Sequence, residues 1–485
     1  MAALASQVCA VALQLVVPRV LLDRWGDGGY AVYVAVTGVA AYLSLADAGV
    51  QMFLTQRLAV MRGAGQNAEA AKLARGALTA LLALAFAGLI VLSGALCAFG
   101  RTAMSGVLAA GSATWMAFAV AIVAQLSSAA FSLSTGGWSA AIEQSNERYS
   151  RTPMASLCRT LALNLVLLGC ASVGVASTTA LVASACAAFP IDFGRFLWSR
   201  LLVPPGREAT RVRDVLREAR GSLLLMIAVA TQGGLWPAVA AAVSPLSVGV
   251  AIPARTVANG ARLLSTVAMN VLWAPLAGRF ASIGDPTGTY LFWKRYSPIL
   301  GLVQMTGVVG LVVVAPAAVH VWLPHKAAGI DTLLPVFCAE QALLIGAIPS
   351  ITLLQATGRF GQLGAIQAVQ SVVGVVATTL LMPRWGALGF AMASVGSTAV
   401  CLVPGAIIAE YAHWSSLGRR PIVVLWSRIV LAIAALACAP MMWASRAAAS
   451  GLALAVFAAG TWHALRALRV DLRQTTPPSS SGDPR

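Results

Sequence analysis

Apolar runs of about 18–25 residues follow one another along nearly the whole chain, separated by short polar loops. A run of that length crosses hydrocarbon as a helix, because hydrocarbon offers no other way to satisfy the backbone of an isolated segment. The expected fold is therefore an all-α polytopic membrane protein with about 14 transmembrane helices. The spans fall near 4–22, 30–54, 74–99, 106–132, 154–174, 178–198, 221–243, 246–274, 296–322, 332–356, 362–382, 387–410, 422–445 and 449–466. Composition excludes a soluble alternative: 59% of the residues are hydrophobic and only 10% are charged. The first residues carry no basic leader, and their apolar run continues to Leu22, so they read as an uncleaved first span.

A formal net charge of +17 in a soluble protein would suggest nucleic acid. Here the basic residues gather in loops, and the partner they imply is the lipid bilayer. About 23 of the 33 lie in loops on the side of the termini, and about five lie opposite, which predicts cytoplasmic termini. The segment 203–220 holds Arg207, Arg211, Arg213, Arg217 and Arg220, a pattern that suits a surface helix on anionic headgroups. The end of the chain, 475–485, is rich in Pro, Ser and Gly and reads as disordered. There is no P-loop, no metal spacing among the eight cysteines or the four histidines, and no catalytic constellation. No cofactor and no enzymatic activity are expected.

Polar residues inside the spans carry the functional expectation. Along 244–275, Arg255, Asn259, Arg262, Thr266 and Asn270 fall within roughly a quarter-turn of one helical face. An arginine at mid-membrane costs about 2.5–3.5 kcal/mol on insertion scales, so such residues face a bundle interior or a watery cavity. Two readings follow. The stripe offers guanidiniums to an anionic ligand, with Asn259 and Asn270 as neighbours. Alternatively, Arg255 snorkels to the near interface and Arg262 pairs with a carboxylate on an adjoining helix.

Arg19, after the kinking Pro18, reads either as a guide for an anionic headgroup or as an interface anchor. Arg159, two turns into the fifth span, reads as a ligand contact or as a snorkelling residue. Arg428 reads as an anchor near the inner interface, and Glu410 as interfacial. Asp47, Asp192 and Glu340 are the candidate coupling-ion or proton sites. The competing reading for Asp192 is a local pair with Arg195 or Arg200, and for Asp47 and Glu340 a pair with an intramembrane arginine. Gln232 and Gln370 bridge helices or hydrogen-bond a ligand, and Trp236 and Trp273 offer aromatic faces for a ligand to stack on.

Several short motifs bear on identity. Between the first two spans the chain reads Leu21-Leu22-Asp23-Arg24-Trp25-Gly26-Asp27-Gly28-Gly29-Tyr30, and the second span ends Leu45-Ala46-Asp47-Ala48-Gly49-Val50. Val248-Gly249-Val250 precedes Arg255; Gln355-Ala356-Thr357-Gly358-Arg359 closes the tenth span; Pro383-Arg384-Trp385-Gly386-Ala387-Leu388-Gly389 bridges the eleventh and twelfth. In order and spacing these motifs resemble the bacterial polysaccharide flippases, the O-antigen and exopolysaccharide exporters of the multidrug/oligosaccharidyl-lipid/polysaccharide exporter superfamily. Two departures stand out: Ala31 replaces a frequent glycine, and the lead before the first helix is short, as in a truncated start.

The resemblance implies two pseudo-symmetric six-helix lobes plus two C-terminal helices, with alternating access to a central cavity. The boundaries would be 1–202 for the first lobe, 203–220 for the basic linker, 221–412 for the second lobe, 413–470 for the extra helices and 471–485 for the tail. It implies residence in a bacterial inner membrane and a lipid-linked oligosaccharide cargo on undecaprenyl diphosphate. Further partners implied are the polysaccharide polymerase and the chain-length regulator. Guanidinium binding of a diphosphate fits Arg255 and Arg262. The alternatives are a proton- or sodium-coupled extruder of small molecules and a membrane polysaccharide polymerase.

Overall fold

The computed structural model describes residues 2–45, 65–111, 113–146, 151–206, 208–262 and 286–419, with scattered positions between 50 and 61 and between 422 and 432. Every regular element among them is helical. They are α1 (Ala2–Leu45), α2 (Asn67–Ala95), α3 (Trp115–Phe131), α4 (Trp138–Ser145), α5 (Arg151–Ser172), α6 (Ser177–Leu201) and α7 (Val212–Ala230). Then follow α8 (Trp236–Val243), α9 (Pro245–Asn259), α10 (Pro286–Trp322), α11 (Ala327–Ala356), α12 (Phe360–Ser397) and α13 (Val403–Ser416). Among the described residues seven helices are long and apolar enough to cross a membrane, or eight if a pair bent by 52° within α10 counts as one span. Large apolar side chains stand outward, among them Phe86 at 66% exposure, Leu165 at 59% and Leu380 at 65%. An apolar exterior on this scale is a lipid-facing surface, and the protein is a multi-pass membrane protein.

Two of the longest elements are each two helices joined at a bend. α1 bends at Gly26 (φ 65°) and α12 at Gly386 (φ 53°). Both values lie in the left-handed region, where a side chain is costly and glycine is not. The same tripeptide serves both bends: Arg24-Trp25-Gly26 and Arg384-Trp385-Gly386. Trp25 donates its indole N–H to the carbonyl of Val175 at 3.0 Å and so pins the first bend.

Contacts divide the chain into two compact units. One comprises Met1–Thr256, Trp322–Leu333 and Gly358–Gly405; the other comprises Val257–Val321, Leu334–Thr357 and the chain from Ala406. In the first unit α1 packs on α3, α5 and α8, α5 packs on α6, and α7 runs along α12. Small residues set these distances: a Cβ at Gly364 would lie 2.6 Å from the Leu225 nitrogen, so α7 and α12 approach backbone to backbone. In the second unit one cluster joins Met305, Val309, Cys338, Ala342 and Ile345, and another joins Trp293, Leu300, Leu353 and Trp414.

The basic segment 203–220 is helical only in its second half, 212–220. Residues 203–206 and 208–211 are a non-helical strap, and α7 begins at Val212 and continues into an apolar span. Hydrogen bonds explain the strap. Arg75 donates to the carbonyls of Glu208 (2.7 Å) and Pro204 (2.8 Å), and Thr210 N–H donates to the Lys72 carbonyl (3.1 Å). Lys72 also bridges Glu208 at 2.6 Å and Glu69 at 3.1 Å.

Candidate functional site

The first unit encloses a cavity of about 480 Å³ between both limbs of α1, α5, α9 and the start of α8. Its polar lining is Gln14, Tyr30, Tyr33, Thr37, Thr160, Asn164 and Thr256; Pro18 and Pro237 add rigid apolar wall. No charged residue is among those that line it. Several of these groups spend a donor on their own helix: Thr37 on the Tyr33 carbonyl, Asn164 Nδ2 on Thr160 and Thr256 on Ile252. Their acceptor oxygens stay available. Gln14, Tyr30 and Tyr33 make no side-chain hydrogen bond among the described residues. The two tyrosine rings lie 5.9 Å apart, centroid to centroid, on one face of the second limb about a turn apart. Tyrosine presents an apolar ring and a polar tip together, which suits a ligand with both characters.

Beside this cavity stands Arg255. It does not line the cavity, although its helical neighbours Ile252 and Thr256 do. Its guanidinium carbon sits 5.2 Å from the Trp236 ring centroid and 5.6 Å from that of Phe390, and Nη1 donates to the Gln232 carbonyl at 3.4 Å. That carbonyl belongs to a π-helical turn, Thr231–Leu235, which joins α7 to α8. A π turn shifts the regular i→i+4 ladder and leaves carbonyls for other donors. Gln232 also donates to Gln370 (2.8 Å), and Gln370 donates to Thr398 (3.0 Å) in a second π turn, Thr398–Leu402. Trp236 is 1% exposed and donates to Thr378 at 2.6 Å, so it supports Arg255 instead of offering a free stacking face. Gln232 and Gln370 take the helix-bridging role.

The arginine stripe expected over 244–275 is interrupted. α9 ends at Asn259, where Gly260 closes a turn on Val257 at 3.0 Å. Glycine has the weakest helix propensity of any residue but proline; residues 261 and 262 are helical again, and the rest of the stripe, Thr266 included, lies outside the described residues. Arg255 falls in the first compact unit and the exposed Arg262 in the second. Asn259 accepts from Gln341 Nε2 at 3.3 Å within the second unit. Asn270, Trp273 and Asp47 lie outside the described residues.

Two candidates find each other. Arg159 Nε donates to Asp192 Oδ2 at 2.9 Å, with the carboxylate side chain 4% exposed. Arg195, the partner expected for Asp192, instead pairs with Glu143 at 2.7 Å, and Thr152 adds a hydrogen bond to that carboxylate. Sequence spacing favours neighbours on one helix, but α5 and α4 supply the nearer partners. Arg19 lies 4.0 Å from Asp23, one turn on, in a half-exposed pair of the kind an interface anchor makes. Glu340 is 5% exposed on α11.

Glu410 and Arg428 depart most from expectation. They are buried, at 0% and 1% exposure, and meet at 2.6 Å. Ser350 donates to the same carboxylate oxygen (2.6 Å) and Trp293 to the other (2.9 Å). Position near a span end suggested an interface, but residues from three other segments of the second unit converge on the carboxylate. Nothing local in the sequence marks that convergence.

No family model and no curated protein matches this chain. Solved structures do. The chain is similar to the lipid II flippase MurJ in an inward closed conformation, with TM-score 0.68 and 10% identity over 96% of this chain and 98% of that one. It is also similar to an inward-facing multidrug resistance MATE family transporter of the MOP superfamily, with TM-score 0.57 and 14% identity over 87% and 98%. A MATE structure in complex with MaD3S gives TM-score 0.55 at 12% identity over 88% and 94%. The fold is that of MurJ and the MATE transporters.

Proposed function

We propose that the protein is a flippase that carries a lipid-linked oligosaccharide repeat unit on undecaprenyl diphosphate from the cytoplasmic to the outer leaflet of a bacterial inner membrane. The observation that carries this reading is the neutral, hydroxyl- and amide-lined cavity set beside one braced arginine. A sugar has apolar C–H faces and many hydroxyls but no charge, and the cavity matches that description group for group. Its volume of about 480 Å³ suits part of an oligosaccharide and leaves the polyprenyl tail outside. Arg255 is held off the lining by aromatic faces and a carbonyl, close enough in the fold to take a diphosphate as the cargo moves. Alternating access, with loading from the cytoplasmic side, completes the mechanism.

The likeness to MATE transporters supports a second reading, an ion-coupled extruder of small molecules. A cationic cargo needs an acidic cavity, and this cavity has no acid in its lining. The buried carboxylates of Asp192 and Glu143 in the same unit are matched by Arg159 and Arg195. Those two facts favour the flippase.

The deciding experiment is lipid analysis of a strain without the protein. Complete lipid-linked repeat units accumulating on the inner membrane face, with surface polysaccharide lost, are expected. Normal lipid carriers with altered drug sensitivity would transfer the assignment to the extruder. Single units accumulating on the outer face would point to a polymerase.

A further inference from the structure

A second, larger cavity of about 1060 Å³ opens at the end of the first unit where the basic loops gather. It lies between the first turns of α2, the last turns of α6 and the strap, and shares no lining residue with the 480 Å³ cavity. Trp138 forms its floor, 2% exposed and fixed by an indole N–H to the Ala74 carbonyl at 2.7 Å. By the positive-inside rule this end is cytoplasmic.

Two arginines line it, Arg75 and Arg200, and a third, Arg151, stands over the lining residue Trp198; none of the three makes an ion pair among the described residues. Arg75 spends Nε and Nη1 on strap carbonyls and turns Nη2 towards Gly206, where a Cβ would lie 2.9 Å away. The Arg200 side chain is exposed and makes no hydrogen bond or ion pair among the described residues. The Arg151 guanidinium lies 4.6 Å from the centroid of the Trp198 ring. Most acids near it are committed elsewhere: Glu69 and Glu208 to Lys72, Glu143 to Arg195, Asp192 to Arg159 and Asp214 to Arg217, while the exposed Glu218 does not line the cavity. An uncompensated cationic pocket thus stands at the membrane surface.

An apolar track leads away from it. Phe189, Phe193, Leu197 and Leu201 recur every fourth residue on α6 and are 48%, 43%, 46% and 79% exposed. That spacing sets them in one line along the helix. The rings of Phe189 and Phe193 are stacked at 9°, which smooths the ridge. Trp198, 43% exposed, lines the cavity one residue along α6 from Leu197 of the track.

We infer that this cavity and ridge form a specific site for one anionic phospholipid of the cytoplasmic leaflet. The phosphate head lies against Arg75, Arg151 and Arg200, and an acyl chain lies along the α6 ridge. The ligand must be an anion with a long apolar tail, and the lipid-facing ridge selects the bilayer as its source over a cargo in the protein interior. The strap closes the headgroup end, so the bound lipid would tie α2, α6 and the entry to α7 together. The site does not depend on the proposed cargo.

The test is native mass spectrometry of the full-length protein, titrated with phosphatidylglycerol or with zwitterionic phosphatidylethanolamine. One phosphatidylglycerol should be retained at least tenfold more tightly than phosphatidylethanolamine. Each arginine near the surface contributes about fivefold in affinity, so Arg200→Gln should weaken retention about fivefold and Arg151→Gln/Arg200→Gln about 25-fold. Arg220→Gln/Arg359→Gln, which removes the same charge elsewhere on this side, should leave it unchanged. Thermal unfolding in parallel confirms that each variant is folded. Equal retention of both lipids, or an equal loss in the control variant, overturns the site. So does displacement of phosphatidylglycerol by an equal or lower concentration of a polyprenyl diphosphate, which would make this a cargo site.

Discussion

Arg428 Nη2 and Glu410 Oε2 meet at 2.6 Å with both side chains almost wholly withdrawn from the surface. The pair is fully hydrogen-bonded at the carboxylate by Trp293 and Ser350. Removing one member of such a pair leaves a buried charge without compensation, at a cost of about 3–5 kcal/mol, whereas replacing both by apolar groups of similar size is often near neutral. Glu410→Gln should therefore lower the thermal stability of the purified protein sharply. Glu410→Leu/Arg428→Met should recover most of it. A double variant as unstable as the single one would show that the pair is not the determinant.

Arg255 is braced by Trp236, and Trp236 fits only because position 374 is glycine: a Cβ there would collide with the outer ring atoms of the indole. Two predictions separate charge from placement. Arg255→Ala should lower flipping of a labelled lipid-linked oligosaccharide in proteoliposomes by about 10–100-fold, the worth of a charge-assisted hydrogen bond to the cargo. Gly374→Ala keeps the charge but overpacks its support by about 1–3 kcal/mol, and should reduce flipping while leaving net charge unchanged. Full transport in Gly374→Ala would mean the placement of Trp236 is irrelevant.

Asp192 and Arg159 form a pair, so a coupling role for Asp192 and a structural one are distinguishable by a double-mutant cycle. The structural role predicts that Asp192→Asn and Arg159→Gln each destabilise the protein and that the double variant is less harmful than their sum, with an interaction energy of about 0.5–3 kcal/mol. Additive losses in unfolding, together with a vanished pH dependence of transport in Asp192→Asn alone, would restore the coupling role.

The cavity itself is tested most gently at its phenols. Tyr30→Phe and Tyr33→Phe keep the rings and remove only the hydroxyls. Each should weaken cargo binding about two- to tenfold, the worth of one neutral hydrogen bond, without changing thermal stability. Equal binding in the Tyr30→Phe/Tyr33→Phe double variant would remove the cavity from the cargo path.

The strap carries a pH dependence whose sign is fixed. The Lys72 ammonium, hydrogen-bonded to Glu208, holds that carboxyl below the usual range for glutamate. A lowered folded-state value means the contribution is present above the unfolded value and is lost as pH falls through the folded one. Limited proteolysis of the strap should therefore be slow near neutrality and quicken in acid, and Glu208→Gln should be cut readily at both. A pH-independent rate in the wild type would sink the idea.

The helical membrane fold was legible because run length and the lack of charge are properties of contiguous sequence, and hydrocarbon accepts few solutions. The two bends were legible for the same reason: Trp-Gly between apolar runs is a local signal. The candidate site was much less so. Periodicity assumes an unbroken helix over 244–275, whereas α9 ends at Asn259 with a turn at Gly260. Partners for Asp192 and Glu410 come from other elements, Arg159 on α5 and Arg428 beyond α13, so spacing along one helix could not name them. Tyr30 and Tyr33 carry no charge and sit in an apolar run, so hydropathy does not single them out. The signal that would have raised them is their position, three residues apart, immediately after a reversal of the chain.

The reversals at Gly26 and Gly386 are each made by a single left-handed residue with no spare chain on either side. A joint without slack transmits displacement instead of absorbing it. When the first limb of α1 tilts, its second limb, which carries Tyr30 and Tyr33, is driven with it. A lever of this kind links the shape of the cavity wall to any movement of the membrane's first span.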